Sequence, residues 1–247
     1  MLWLMLTFAV FLTSVLSGVL GMAGGMILMA ILVTALGVAN AMILHGAVQA
    51  TANGARAWFL RRYIRWGLLP NYLFGALGAV SVFSLIAFVP NAGLVLFLVG
   101  VFPWLARYTR SLQGLDVTRG VTTLSCGFVV TVAQLLAGAS GPLLDVFYLN
   151  SPLSRQEIVA NKALTQTIGH IIKIVYYGVI ISIATSLPWW LFVAAMTCAV
   201  LGTRVGTTLL HRWNDATFSR VSSLVILTVA SICMLRGAWL MWTSLQA

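Results

Sequence analysis

Apolar residues come in long blocks along this chain, separated by short polar turns. The blocks fall at about 2–20, 25–38, 40–60, 67–89, 91–106, 120–137, 141–150, 156–182, 188–209 and 218–243. An apolar run of about 20 residues crosses the roughly 30 Å hydrocarbon layer of a bilayer as a helix. The pattern therefore predicts an all-α, polytopic integral membrane protein. Two blocks, 25–38 and 141–150, are too short to cross comfortably. The block at 156–182 carries Lys162, Gln166, His170 and Lys173 at i, i+4, i+8 and i+11. On a helix that spacing makes one continuous polar face.

Composition strengthens the membrane reading. Of 247 residues, 61% are hydrophobic and only 7% are charged, with a mean hydropathy of +1.02. Residues 1–55 hold no Asp, Glu, Lys or Arg. The first block lacks the basic stretch of a secretory signal and reads as a retained span. A formal net charge of +10 raises the question of nucleic acid. Most basic residues, however, sit at the ends of apolar blocks, which points to membrane orientation and to no nucleic-acid partner. Cys126, Cys198 and Cys233 lie singly in apolar segments, as packing residues do.

The basic residues cluster at Arg61, Arg62 and Arg65, around 107–119, at Arg155 and around 211–220, whereas the turns near 88–93 and 183–188 carry no charge. Putting the basic turns in the cytoplasm orients every span consistently, with both termini outside. Trp189, Trp190, Trp239 and Trp242 then form an outer aromatic belt. Block 25–38 enters from inside and block 141–150 from outside, so the halves, 1–110 and 118–247, are expected to be inverted-topology repeats with short Gly-interrupted segments.

Shifting residues 21–56 by 117 positions overlays 138–173 without a gap. "GMAGG" meets "GASGP", pairing Gly21 with Gly138 and Gly24 with Gly141. On the following helix His45, Gln49, Asn53 and Arg56 fall on Lys162, Gln166, His170 and Lys173. In inverted repeats, corresponding Gly-interrupted short segments mark a binding site near the midplane. Glycines allow close backbone approach and expose helix-end N–H groups, which suit an anion. The expected substrate-binding set is thus Gly21, Gly24, Gly25, His45, Gln49, Asn53, Arg56, Gly138, Ser140, Gly141, Lys162, Gln166, His170 and Lys173.

Plainer roles stay open for several of these. A GxxG string in a membrane helix also serves packing, and Arg56 or Lys162 could snorkel to the interface. Lys173 lies deep in its block, where an intramembrane lysine is a functional candidate by default, paired either with substrate or with Asp145. His45, His170 and Asp145 are the titratable groups that could couple transport to protons. The two histidines make a poor metal site without a carboxylate set. No metal and no cofactor are expected.

These residues carry a resemblance to the TauE/SafE family of sulfite and organosulfonate exporters. It covers essentially the whole length, and the run "GASGPLLDVFYL…RQEIVANKALTQTIGHIIKIVYYG" is its more specific half. "GMAGGMILMAIL" departs from the family's GxGGG-like string followed by proline, and Arg65 stands where an acid is common. The resemblance implies a bacterial inner-membrane protein exporting a small sulfur-containing oxyanion.

The chain has no GxxxxGK[ST] string, hence no ATP-driven engine of its own, and no HExxH or GxSxG. A secondary transporter for a small anion is the leading expectation, not an enzyme. An anion channel shares the basic lining, and a structural protein is the bland alternative. Expected partners are the anionic substrate and the lipid bilayer. The oligomeric state is left open, a homodimer included.

Overall fold

The blocks become helices with little displacement. The structure, a computed structural model, describes residues 1–20, 23–109, 115–183, 185–210 and 215–246. The helices are α1 (Leu2–Leu20), α2 (Ala23–Leu36), α3 (Val38–Phe59), α4 (Leu69–Ile86), α5 (Ala92–Thr109), α6 (Gly120–Ala137), α7 (Gly141–Tyr148), α8 (Arg155–Val175), α9 (Trp189–Leu210) and α10 (Asp215–Ser244). No strand occurs among the described residues.

Six helices, α1, α4, α5, α6, α9 and α10, contain stretches long and apolar enough to cross a bilayer. They associate as α1 with α9, α4 with α6 and α5 with α10. Their outward side chains, among them Phe8, Phe74, Leu85, Val121, Leu235 and Trp239, are exposed. In lipid such a surface needs no cover, because hydrocarbon tails are as apolar as the side chains. Trp189, Trp190, Trp239 and Trp242 are exposed as well.

The fourth pair is different. Helices α3 and α8 are long but polar, and they pack against one another. Small residues set their approach: a Cβ on Gly46 would come within 2.7 Å of the Ile174 side chain, and one on Gly54 within 3.5 Å of Thr167. The order 46 to 174 and 54 to 167 makes the pair antiparallel.

Polar contacts sort the turns to two ends. The Arg65 backbone N–H donates to Asn161 Oδ1 at 3.1 Å, and its side chain meets Glu157 at 2.5 Å. These bonds staple the first basic turn to the start of α8. That start is fixed by a capping box, in which Ser154 N–H donates to Glu157 Oε2 and Ser154 Oγ accepts from Glu157 N–H. At the opposite end Asn40 donates to Ser186 Oγ at 3.2 Å, which joins the start of α3 to a charge-free turn.

Two expectations change here. Block 156–182 is not one helix: α8 stops at Val175 and a π-helical segment follows over Tyr176–Ile180. The segment lets two tyrosines reach backbone acceptors, Tyr176 O–H donating to the Phe88 carbonyl at 2.8 Å and Tyr177 O–H to that of Leu135 at 2.7 Å. Lys173 therefore sits in the last turn of α8. Gly24, expected in the substrate-binding set, packs against α1: a Cβ there would collide with the Thr13 carbonyl and Ser17 backbone.

Candidate functional site

A cavity of about 550 Å³ lies between the polar pair and the short helices. Small-molecule sites commonly have this size. From α3 it takes His45, Gln49, Asn53 and Arg56, and from α8 Lys162, Gln166 and His170. Ser140, just before α7, and Gly141 and Asp145 of α7 join it, and α2 adds Gly25. Residues from both halves therefore share one wall, spaced as the helical face requires. Gly21 lies outside the described residues.

Burial grades along the cavity. Arg107 at one end is exposed, whereas Arg56, Gln49, Asn53, Lys162 and Gln166 are half-buried. His45, Ser140 and His170 at the other end are buried. A rise of 1.5 Å per residue sets Lys162 and His170 about 12 Å apart along α8, and His45 and Arg56 about 16 Å apart along α3. The space thus opens toward the basic turns and ends blind at the histidines.

Charge follows the same gradient. Lys162 is paired with Asp145, each side chain about a quarter exposed. Arg56 and Arg107 complete the cations of the wall, and no carboxylate among the described residues bridges either one. The open end therefore carries net positive charge, which concentrates anions. The pairing also corrects one expectation, since Asp145 belongs to Lys162 and not to Lys173.

Lys173 does not line the cavity. It is fully buried behind His45, its Nζ 2.9 Å from His45 Nδ1 and 2.9 Å from the Gly138 carbonyl. His45 Nε2 lies 2.9 Å from the Gly25 carbonyl, so at Gly25 the engaged backbone group is an acceptor and not the expected N–H. Gly138 is likewise absent from the wall. It caps α6 at φ 70°, and a Cβ there would press on the sulfurs of Met29 and Met42, at 2.7 and 2.8 Å. Its role is close contact between the halves, which only glycine allows in this conformation.

The closed end is a connected set of polar groups. The rings of His45 and His170 are 5.4 Å apart between centroids. Gln134 of α6 reaches His170 Nδ1 through its Nε2 at 2.7 Å and the Gly138 carbonyl at 3.2 Å. Ser140 Oγ donates to Gln134 Oε1 at 2.6 Å and accepts from Gln166 Nε2 at 3.4 Å. Gln134 was missed from sequence, although it is the one amide side chain in block 120–137, whose other polar residues are small hydroxyls. Arg107 was read only as a topology signal. Ser17, Thr203 and Ser222 also join the wall without having been foreseen.

Comparison with known proteins agrees on the family. The family model described as sulfite exporter TauE/SafE matches residues 6–233. The chain belongs to this family. No curated protein and no solved structure matches it.

Proposed function

Taking this membership as the premise, we propose that the chain is a secondary transporter that exports a small sulfur oxyanion, sulfite or an organosulfonate, across the bacterial inner membrane. The carrying observation is the cavity, with cations in surplus over its one acid and amide and imidazole donors deeper in. Such donors suit an anion that has shed part of its hydration. The volume exceeds what sulfite alone needs and leaves room for the organic part of a sulfonate.

A blind end favours a transporter over a channel. Beyond the histidines the path is filled by Lys173 and by Tyr176 and Tyr177, all fully buried. Passage then requires the seal to rearrange while the mouth closes. The inverted-repeat reading offers a route, because the 117-residue shift carries α1 onto α6 and α3 onto α8 nearly end to end, and starts α2 within one residue of α7, which is the shorter helix. It also exchanges the pair α1 with α9 for the pair α6 with α4, and both pairs are packed.

The test is flux into proteoliposomes loaded with sulfite, sulfoacetate, taurine, sulfate or chloride, with and without a pH gradient. Saturable flux of a sulfur oxyanion is expected, with chloride poorly carried. Conductive flux that favours chloride would replace the transporter with a channel.

A further inference from the structure

The hydrogen bonds at the blind end have forced directions. The Gly138 carbonyl can only accept, so the Gln134 atom facing it is the amide nitrogen. That nitrogen can only donate. His170 Nδ1, 2.7 Å away, must then accept, and a neutral ring carries its proton on Nε2. The other side of the amide agrees: Oε1 accepts from Ser140, whose oxygen in turn accepts from Gln166. The Gly138 carbonyl alone thus fixes the orientation of the amide, and the Ser140 hydroxyl, able to donate or accept, fits that orientation.

We propose that Gln134 is a positioning residue that locks His170 as a neutral Nε2–H donor to the anion at the blind end of the cavity. This rests on the anion-transport reading above. His170 forms part of the cavity wall, and with Nδ1 committed to Gln134 its free hydrogen-bonding position is Nε2. An imidazolium would set its Nδ1–H against the Gln134 N–H, donor to donor. His170 therefore binds and does not carry protons, unlike the role expected from sequence. The two histidines are inequivalent: His45 has a carbonyl at Nε2 and the Lys173 amine at Nδ1, whereas His170 has an amide donor. A locked neutral donor also helps selectivity, because it rewards an anion without holding it by full charge.

The lock can be read without transport. Nitrogen-15 magic-angle-spinning spectra of histidine-labelled protein in liposomes distinguish protonated from unprotonated ring nitrogens, and a His170→Gln sample assigns the His170 signals by difference. The wild type should show His170 protonated on Nε2 only, with the Nε2 signal shifting on addition of sulfite. Gln134→Leu removes the donor and Gln134→Glu offers an acceptor. Both should move proton population to Nδ1 and raise KM for sulfite roughly tenfold, the loss of one hydrogen bond to a charged group, with less change in maximal rate. A merely structural Gln134 would lower membrane abundance without moving the tautomer. Nδ1–H in the wild type, or an unchanged tautomer in both variants, overturns the proposal. If neither variant inserts, the wild-type Nδ1 signal decides: an unprotonated nitrogen shifted by an accepted hydrogen bond supports the lock, and a protonated or unbonded one overturns it. Absence of wild-type sulfite flux would remove the transport reading, and the tautomer would still decide the lock.

Discussion

Helices α3 and α8 carry polar residues in the same spacing, yet the structure uses matching positions differently. His45 is bonded to the Gly25 carbonyl and Lys173, whereas its counterpart Lys162 is paired with an acid on α7. Asn53 turns back to the Gln49 carbonyl of its own helix at 2.9 Å, whereas His170 reaches across to α6. Arg56 sits half-buried at the open end, and its counterpart Lys173 is sealed at the closed end. One pattern thus serves both ends: Arg56 and Lys162 stand toward the mouth, and His45, His170 and Lys173 close the other end. A transporter caught with one side open should look asymmetric in this way even if its halves are alike.

The largest expected effect separates the two matching glycines, Gly24 and Gly141. Leucine at 24 must displace α1 backbone, so its cost should exceed the roughly 1–3 kcal/mol of ordinary overpacking. Gly24→Leu should vanish from the membrane fraction. Gly141 is a buried residue of the cavity wall, so Gly141→Leu should take up cavity space and lose flux while staying more abundant in the membrane than Gly24→Leu. Abundance and flux measured side by side check the contrast, and equal abundance of the two would break it.

Next in size is the plug. Lys173→Met keeps side-chain length and removes both hydrogen bonds of the amine. The Gly138 carbonyl retains Gln134, but His45 Nδ1 is left without a partner. A buried orphaned acceptor costs about 1–3 kcal/mol. Thermal unfolding in detergent should show that loss, while Lys173→Arg, too bulky for the fully buried site, should not restore stability. Unchanged stability in Lys173→Met would mean that the amine bonds matter little to the closed state.

How far sequence reached can be stated residue by residue. Block lengths gave the six long apolar helices among the described residues, because crossing a bilayer demands a length that local composition reveals. The spacing at 45–56 and 162–170 foretold which side chains share one cavity wall, since helical periodicity sets their face. Depth was harder. Lys173 looked like a wall residue because its face was right, but the turn in which α8 gives way to the π-helical segment depends on where Tyr176 and Tyr177 find carbonyls. The partner of Asp145 was also hidden, because spacing along one helix says nothing of which lysine a neighbouring helix approaches. Gln134 carried a readable signal, a polar residue in an apolar block, with no repeat counterpart to draw attention to it: position 17 is a serine.

The smallest effect is expected at the mouth, where Arg56 stands opposite in role to Lys173. Arg56 is half-buried on the cavity wall, and no acid among the described residues bridges it. Arg56→Gln should therefore strand no carboxylate and leave thermal unfolding unchanged. What it removes is part of the positive potential that gathers anions at the open end. KM for the transported anion should rise a few-fold, with maximal rate nearly constant. Because the mouth is wet, salt screens this attraction, with a Debye length of about 10 Å at 0.1 M. Raising ionic strength should therefore shrink the difference between Arg56→Gln and wild type. A variant whose KM penalty ignores salt would make Arg56 a direct ligand of the anion. One that also melts earlier would make it a structural cation like Lys173, and mouth and plug would no longer differ in kind.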